Sequence, residues 1–351
     1  MSPDTLTVDV LPSHRFHVDA LVAYLRGRLD GVDETLAVSQ FQGGQSNPTF
    51  LLRANGHNYV LRKKPPGKLL PSAHQIEREY RVLTALGNTG VPIPRARLLC
   101  EDASVIGTPF YVMEHLPGRI LSRVDLAGVP AASRKAVYGA MVDALASLHQ
   151  VDWRAAGLGD FGRPEGYVER QIARWSAQYL ASQTDEVPAM HALMAWLAAQ
   201  SPVLNRDAIA HGDFRLGNLI FHAKYPEVVG ILDWELATIG HPLADLAYCC
   251  MPYVLPAEVF PNGLHGLDLE AAGLPGLDSL VSAYVSKAGD ADLEHWPFFV
   301  AFSLFRSAAI AQGVYHRALQ GNAVGADASE FGRRARQFAE VGWQVARRRS
   351  V

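Results

Sequence analysis

The chain begins with short alternating stretches and changes, after its first third, to long helical periods. Val18, Leu21, Val22, Leu25 and Leu29 recur at the helical interval and predict a first helix over 17–29. Val38-Ser39-Gln40-Phe41, Thr49-Phe50-Leu51-Leu52-Arg53 and Asn58-Tyr59-Val60-Leu61-Arg62 read as strands. Asn55-Gly56 joins the last two as a hairpin turn, because both residues tolerate positive φ. Ser72 to Gln75 spells a capping box ahead of a helix that buries Ile76, Tyr80, Leu83 and Leu86 and stops at Gly87. A strand lead-in at Val91-Pro92-Ile93-Pro94 and Arg97-Leu98-Leu99-Cys100, a strand at Pro109 to Glu114, and a turn at His115-Leu116-Pro117-Gly118 close this part.

Helices dominate from there. The apolar spacing predicts them over 131–149, 167–180, 189–199 and 298–315, with a last one over 333–349 that presents Phe338, Val341 and Val345 on one face and arginines on the other. The chain therefore reads as α+β, divided near residue 116: a sheet-bearing part over 1–116 and a mostly helical part over 117–351. Inside the second part the pattern reverts once. Leu219-Ile220-Phe221 and Val228 to Leu232 are two apolar runs joined by a polar loop, and Asp213, Asn218 and Asp233 stand at their ends. A hairpin brings these three side chains to one rim.

That rim has magnesium and phosphate chemistry. Mg²⁺ is a hard cation that takes oxygen ligands, commonly one or two from the protein and the rest from water and phosphates. One Asn and one Asp fit, and the second Asp is left to meet a hydroxyl. Upstream, Gly43-Gly44-Gln45-Ser46-Asn47 is a glycine turn whose backbone N–H groups can approach an anion and whose Ser46 and Asn47 add donors. By itself it is as consistent with a plain hairpin turn. Arg62 ends an apolar strand, Lys64 shares its parity, and Glu79 lies beside the buried stripe of the next helix, where an acid can hold Arg62 toward a phosphate.

Composition narrows the classes. With 351 residues, 49% of them hydrophobic, and a net charge of −3, the chain is a globular protein of about two domains, not a nucleic-acid binder. Three cysteines, Cys100 and the adjacent Cys249-Cys250, imply no disulfide framework. The start lacks the basic-then-apolar order of a signal peptide, and the apolar run Trp296 to Phe305 is about half of the ~20 residues a bilayer needs, so a cytoplasmic protein with no membrane partner is expected. His211 is expected to pack and hydrogen-bond its turn, and no second histidine at ligand spacing supports a metallohydrolase. Arg306 lies in the apolar stretch of its helix and needs a partner, with an internal carboxylate expected ahead of an anionic substrate.

Taken in order, these motifs resemble those of the phosphotransferases that include aminoglycoside phosphotransferases and choline kinase, a branch of the protein-kinase-like fold. The resemblance runs from about Gln40 to about Tyr253 and implies a bilobal architecture with an N-terminal antiparallel sheet lobe. It implies that Gly43, Gly44, Ser46 and Asn47 form the phosphate loop, that Arg62 paired with Glu79 meets nucleotide phosphates, and that Glu114 and Leu116 offer hinge carbonyl and N–H groups to adenine. It makes Asp213 the acceptor base and Asn218 and Asp233 the Mg²⁺ ligands, with ATP as donor; Asp245 braces the catalytic loop. Two departures stand out. The loop lacks the three-glycine protein-kinase form, which fits a small-molecule kinase, and Arg62 replaces the usual lysine, leaving Lys64 as the fallback.

The wording of Arg62-Lys63-Lys64-Pro65-Pro66-Gly67, Leu158-Gly159-Asp160-Phe161-Gly162 and Asp233 to Gly240 is similar to a subgroup also found fused to acyl-CoA dehydrogenases. That likeness implies a hydroxyacyl-CoA acceptor. The alternatives are an aminoglycoside or choline-like amino alcohol, or a kinase-like nucleotide-binding module without transfer.

Overall fold

A computed structural model describes residues 7–42, 47–65, 75–257, 260–289, 292–320 and 328–348. Its contacts divide the chain into two compact units, Met1–Leu121 with Gly217–Ala237, and Ser122–Leu216 with Thr238–Val351.

The first unit is built on a six-stranded antiparallel sheet. Its strands are β1 (Thr7–Val8), β2 (Ala37–Phe41), β3 (Thr49–Ala54), β4 (His57–Lys63), β5 (Ala96–Cys100) and β6 (Phe110–Glu114), in the order β1-β2-β3-β4-β6-β5. The Asn55-Gly56 turn adopts positive φ at both residues and sets Ala54 opposite His57. Strand parity then sorts β4. Tyr59 and Leu61 point to a core made with Phe50, Leu52, Phe110, Val112 and helix α1 (Val18–Leu25), while Arg62 points to the opposite face. Each fully buried Phe or Leu there contributes about 2–3 kcal/mol. Lys63 lies on the core side, buried, with its ammonium 5.1 Å from the Phe16 ring. Helix α2 (Ile76–Leu86) follows. Ser72 of the expected capping box lies outside the described residues, and Gln75 at the helix start makes no side-chain cap.

The expected boundary near residue 116 differs from the packing in one respect. Strand β9 (Leu219–Phe221) pairs with β10 (Val228–Ile231) and, on its other edge, with β7 (Arg119–Ile120). The Ile231 N–H also donates to the Pro92 carbonyl at 2.8 Å. The hairpin therefore belongs to the first unit. Gly118 is needed for that closeness: a Cβ there would stand 2.4 Å from the Phe221 carbonyl oxygen.

The second unit holds the short pair β8 (Ala208–Ala210) and β11 (Thr238–Gly240) among helices α3 (Ala131–His149), α4 (Tyr167–Ser182), α5 (Pro188–Ala199), α6 (Pro242–Cys250), α7 (Leu277–Ala288), α8 (Trp296–Leu319) and α9 (Ala328–Arg348). By length and composition α8 could cross a membrane, which the shorter run read from the sequence did not suggest. Within this unit it is buried on every side from Phe298 to Ala309, packed among α4, α5, α6 and α9, which explains an apolar helix without a stripe. Helix α9 docks differently from the expected Phe338-Val341-Val345 face. Ala335, Ala339, Gly342 and Ala346 form its buried seam, and at Gly342 a Cβ would stand 3.1 Å from that of Leu304. Small residues permit the close approach, while Phe338 meets the Phe260 ring at 4.9 Å and Arg333, Arg336, Arg347 and Arg348 stay exposed.

Candidate active site

In the first unit, β4 and α2 assemble an ion cluster. Arg62 Nε lies 3.1 Å from Glu79 Oε2, and Arg62 Nη2 lies 3.2 Å from Asp233 Oδ1. Glu79 is 1% exposed and its other contacts are donors: the Tyr111 hydroxyl at 2.9 Å and Asn47 Nδ2 at 2.8 Å. Burial opposes the Arg62 charge, but Glu79, together with Tyr111, Asp233 and Glu235, outweighs it and raises the guanidinium above its ordinary value. For Glu79, burial is the larger influence and pushes the carboxyl upward against the pull of Arg62. Sequence parity alone did not decide between Arg62 and Lys64. Here Lys64 pairs with Glu77 at 2.5 Å, and Arg62 holds the cluster.

Asp233 follows β10 in the left-handed region, at φ 67. That conformation is uncommon for a residue with a side chain and costs on the order of 1–2 kcal/mol, which marks it as a constrained point. The Leu232 N–H donates to the Asn218 carbonyl at 2.8 Å, so Asn218 faces the residue before Asp233 at the end of the β9–β10 pair. The segment is also tied to α2, whose Arg78 reaches the Ala237 carbonyl at 3.3 Å. One amide oxygen and one carboxylate are hard donors suited to Mg²⁺ when phosphates and water complete the shell. Among the described residues no group of three His, Cys, Asp or Glu is placed to hold a metal ion by itself.

The remaining expected nucleotide contacts are divided. Gly43, Gly44 and Ser46 lie outside the described residues. Asn47 is buried and engaged with Glu79, so its amide braces the acid in this state. At the expected hinge, Glu114 N–H donates to the Arg95 carbonyl at 2.9 Å, and Leu116 packs so close to Gly230 that a Cβ there would stand 2.6 Å from Leu116 Cδ1.

The second unit builds its part from backbone amides. Asp245 on α6 accepts from the His211 N–H at 2.5 Å and the Gly212 N–H at 2.8 Å, with His149 Nε2 at 3.4 Å. These donors stabilise a carboxylate even though it is buried: burial would raise Asp245, but His149, His211 and the Gly212 amide bring it below the usual range. His211 is fully buried and receives the Asp213 N–H on Nδ1 at 3.2 Å, the turn-holding part expected of it. Asp213 itself is 21% exposed.

Two residues around Asp213 were not read as such from the sequence. Tyr248 donates its hydroxyl to Asp213 Oδ1 at 2.6 Å; its only sequence signal is a position three residues after Asp245 on one helix. Arg306 is 7% exposed and pairs with no carboxylate among the described residues, contrary to the internal acid expected for it. Instead it donates to the Gly212 carbonyl and faces the rings of Tyr248 at 5.3 Å and Trp175 at 5.5 Å, which supply electron density in place of a charge.

Comparison with known proteins gives a family match. The family model described as "Phosphotransferase enzyme family" matches residues 37–280. Acyl-CoA dehydrogenase family member 11 of Homo sapiens is 44% identical over 346 residues, covering 97% of this chain and 44% of that protein. Family member 10 of Mus musculus is 46% identical over 332 residues, covering 93% of this chain and 31% of that protein. The chain thus spans less than half the length of these relatives. A Ralstonia eutropha protein solved as a candidate aminoglycoside phosphotransferase superposes with a TM-score of 0.85 at 44% identity, covering 95% of this chain and 99% of that one. Choline kinase from Cryptosporidium parvum superposes with a TM-score of 0.66 at 13% identity, covering 95% and 96%, which speaks to the kinase-like fold alone. With more than half its length matched and a sheet-bearing unit followed by a helical one, the chain belongs to the phosphotransferase enzyme family and is a phosphotransferase of kinase-like fold.

Proposed function

We propose that the protein transfers the γ-phosphoryl group of ATP, with Mg²⁺, to a hydroxyl of a small molecule, and that this molecule is a hydroxyacyl-CoA. The observation that carries the transfer reading is the Arg62 cluster. A buried guanidinium shares Glu79 and Asp233, and the residue before Asp233 is hydrogen-bonded to Asn218. Such a group suits a phosphate chain better than a neutral ligand. Phosphoryl transfer needs positioning and charge neutralisation more than covalent chemistry. Arg62, steadied by Glu79, would neutralise phosphate oxygens, and Asn218 and Asp233 would hold Mg²⁺, whose contribution is to offset phosphate charge. Asp213 would orient the acceptor hydroxyl and accept its proton. Leu116 N–H and the Glu114 carbonyl are the groups proposed for adenine.

The acceptor class rests on two supports. The relatives are named as acyl-CoA dehydrogenase family members. In the second unit, Asp213 is accompanied by Arg215 at 3.3 Å, a half-exposed side chain. An aminoglycoside is polycationic and favours carboxylates, so a cation beside the base favours an anionic acceptor such as a CoA thioester.

A thermal shift with ATP and Mg²⁺, followed by ADP release over a panel of hydroxyacyl-CoAs, amino sugars and amino alcohols, tests both levels. Stabilisation by Mg·ATP and turnover confined to hydroxyacyl-CoAs is expected. Turnover on amino sugars alone overturns the acceptor, and no shift with no turnover on any acceptor overturns the kinase reading.

A further inference from the structure

Helix α6 meets the Asp213 loop at successive points. Asp245 takes the amides of His211 and Gly212, and Tyr248, one turn further along the same helix face, takes the carboxylate of Asp213. Both oxygens of that carboxylate are engaged. Oδ1 receives the Tyr248 hydroxyl at 2.6 Å, a short charge-assisted bond. Oδ2 has Arg215 Nε at 3.3 Å, from a side chain that is 52% exposed, and a contact of that kind costs little to exchange.

The phenol is itself fixed. Arg306 lies over its ring and also donates to the carbonyl of Gly212, the residue before Asp213, whose φ of 84 sets the direction of the loop. Burial, followed by the Asp213 charge, raises the Tyr248 hydroxyl, so it remains protonated and donates throughout the neutral range. We infer that Tyr248 is a positioning residue of the transfer reaction: it anchors Oδ1 of Asp213 and thereby fixes the direction in which that carboxylate meets the acceptor hydroxyl. This inference rests on Asp213 being the acceptor base. A reacting group misplaced by about 1 Å loses on the order of a hundredfold in rate, while nucleotide contacts made elsewhere are untouched.

Steady-state hydrolysis of Mg·ATP, with water as acceptor, in the Tyr248→Phe, Asp213→Asn and double variants tests it. Tyr248→Phe keeps the ring under Arg306 and removes only the hydroxyl. Its kcat is expected to fall about 10- to 100-fold, the worth of one hydrogen bond to a charged group, with the KM for ATP unchanged. In the Asp213→Asn background the same substitution should change nothing further. Replacing Tyr248 by 4-aminophenylalanine, which keeps a donor at that point, should restore most of the rate. A crystal structure of Tyr248→Phe should show the Asp213 carboxylate rotated.

If Asp213→Asn turns over at the parental rate, the base assignment fails and this inference with it. If Asp213→Asn is inactive while Tyr248→Phe keeps the parental kcat, or loses the same factor again in the double variant, the positioning role alone is overturned. An unmoved carboxylate in the Tyr248→Phe crystal overturns it independently of any rate.

Discussion

The two units hold their functional carboxylates by opposite means. Around Arg62 charge faces charge: Glu79 and Asp233 flank a buried guanidinium, and the neutral groups, Tyr111 and Asn47, are accessories. Around Asp213 the bracing carboxylate, Asp245, faces backbone amides, and the buried cation, Arg306, faces a carbonyl and two rings. An ion pair depends on both partners, because losing one strands the other in a low-dielectric site. A carboxylate on amides depends on the loop conformation that presents them. The first arrangement suits a site for a highly charged ligand, and the second suits a loop whose shape must be kept.

The contrast can be broken most directly at Glu79. Glu79→Gln leaves Arg62 charged, with only the more exposed Asp233, and should cost about 3 kcal/mol in urea unfolding. Asp245→Asn keeps the shape but turns a neutral amide toward two buried N–H donors, and should cost about 2 kcal/mol. If Asp245→Asn proved the more damaging by a wide margin, the ordering of charge–charge over charge–amide would be wrong.

An effect of similar size should appear with pH in the second unit. His241 caps α6 by accepting from the Leu243 N–H, and burial, partly opposed by Asp292, lowers its pKa to about 4. In the unfolded chain it takes a proton near 6.5, so its contribution is complete above that value and is lost as pH falls toward 4. At pH 5 this residue should cost the parent about 2 kcal/mol. His149 is shifted downward too, chiefly by burial, and acts in the same direction. His241→Asn keeps a cap acceptor without the titration, so its stability should fall less steeply between pH 6.5 and 5. An unchanged slope would place the acid sensitivity elsewhere.

These contrasts also show what a sequence can and cannot carry. The Arg62–Glu79 pairing was legible only in part, because strand parity left Lys64 as well placed as Arg62 and the family resemblance made the choice, whereas the hairpin ending at Asp233 was legible from two apolar runs. The partition of that hairpin was not, because β7 has two residues and leaves no period to read. Arg306 was recognised as buried, yet its partners are a carbonyl and two rings, and a carbonyl has no letter in the sequence. Tyr248 was missed because an Asp followed three residues later by Tyr has meaning only once the helix and the loop it faces are known. On α9, the large residues suggested a seam that the small ones, Ala335, Ala339, Gly342 and Ala346, in fact form.

The proposed reaction divides the labour between Asp213 as base and the Arg62, Asn218 and Asp233 group as holder of the Mg·nucleotide. The most direct measurement pairs calorimetric titration of Mg·ATP with the turnover of Asp213→Asn on the best acceptor in the panel. Binding within about twofold of the parent, with turnover reduced by about 10²–10⁴ as for loss of a general base, is the expected result. Parental turnover in Asp213→Asn would contradict it.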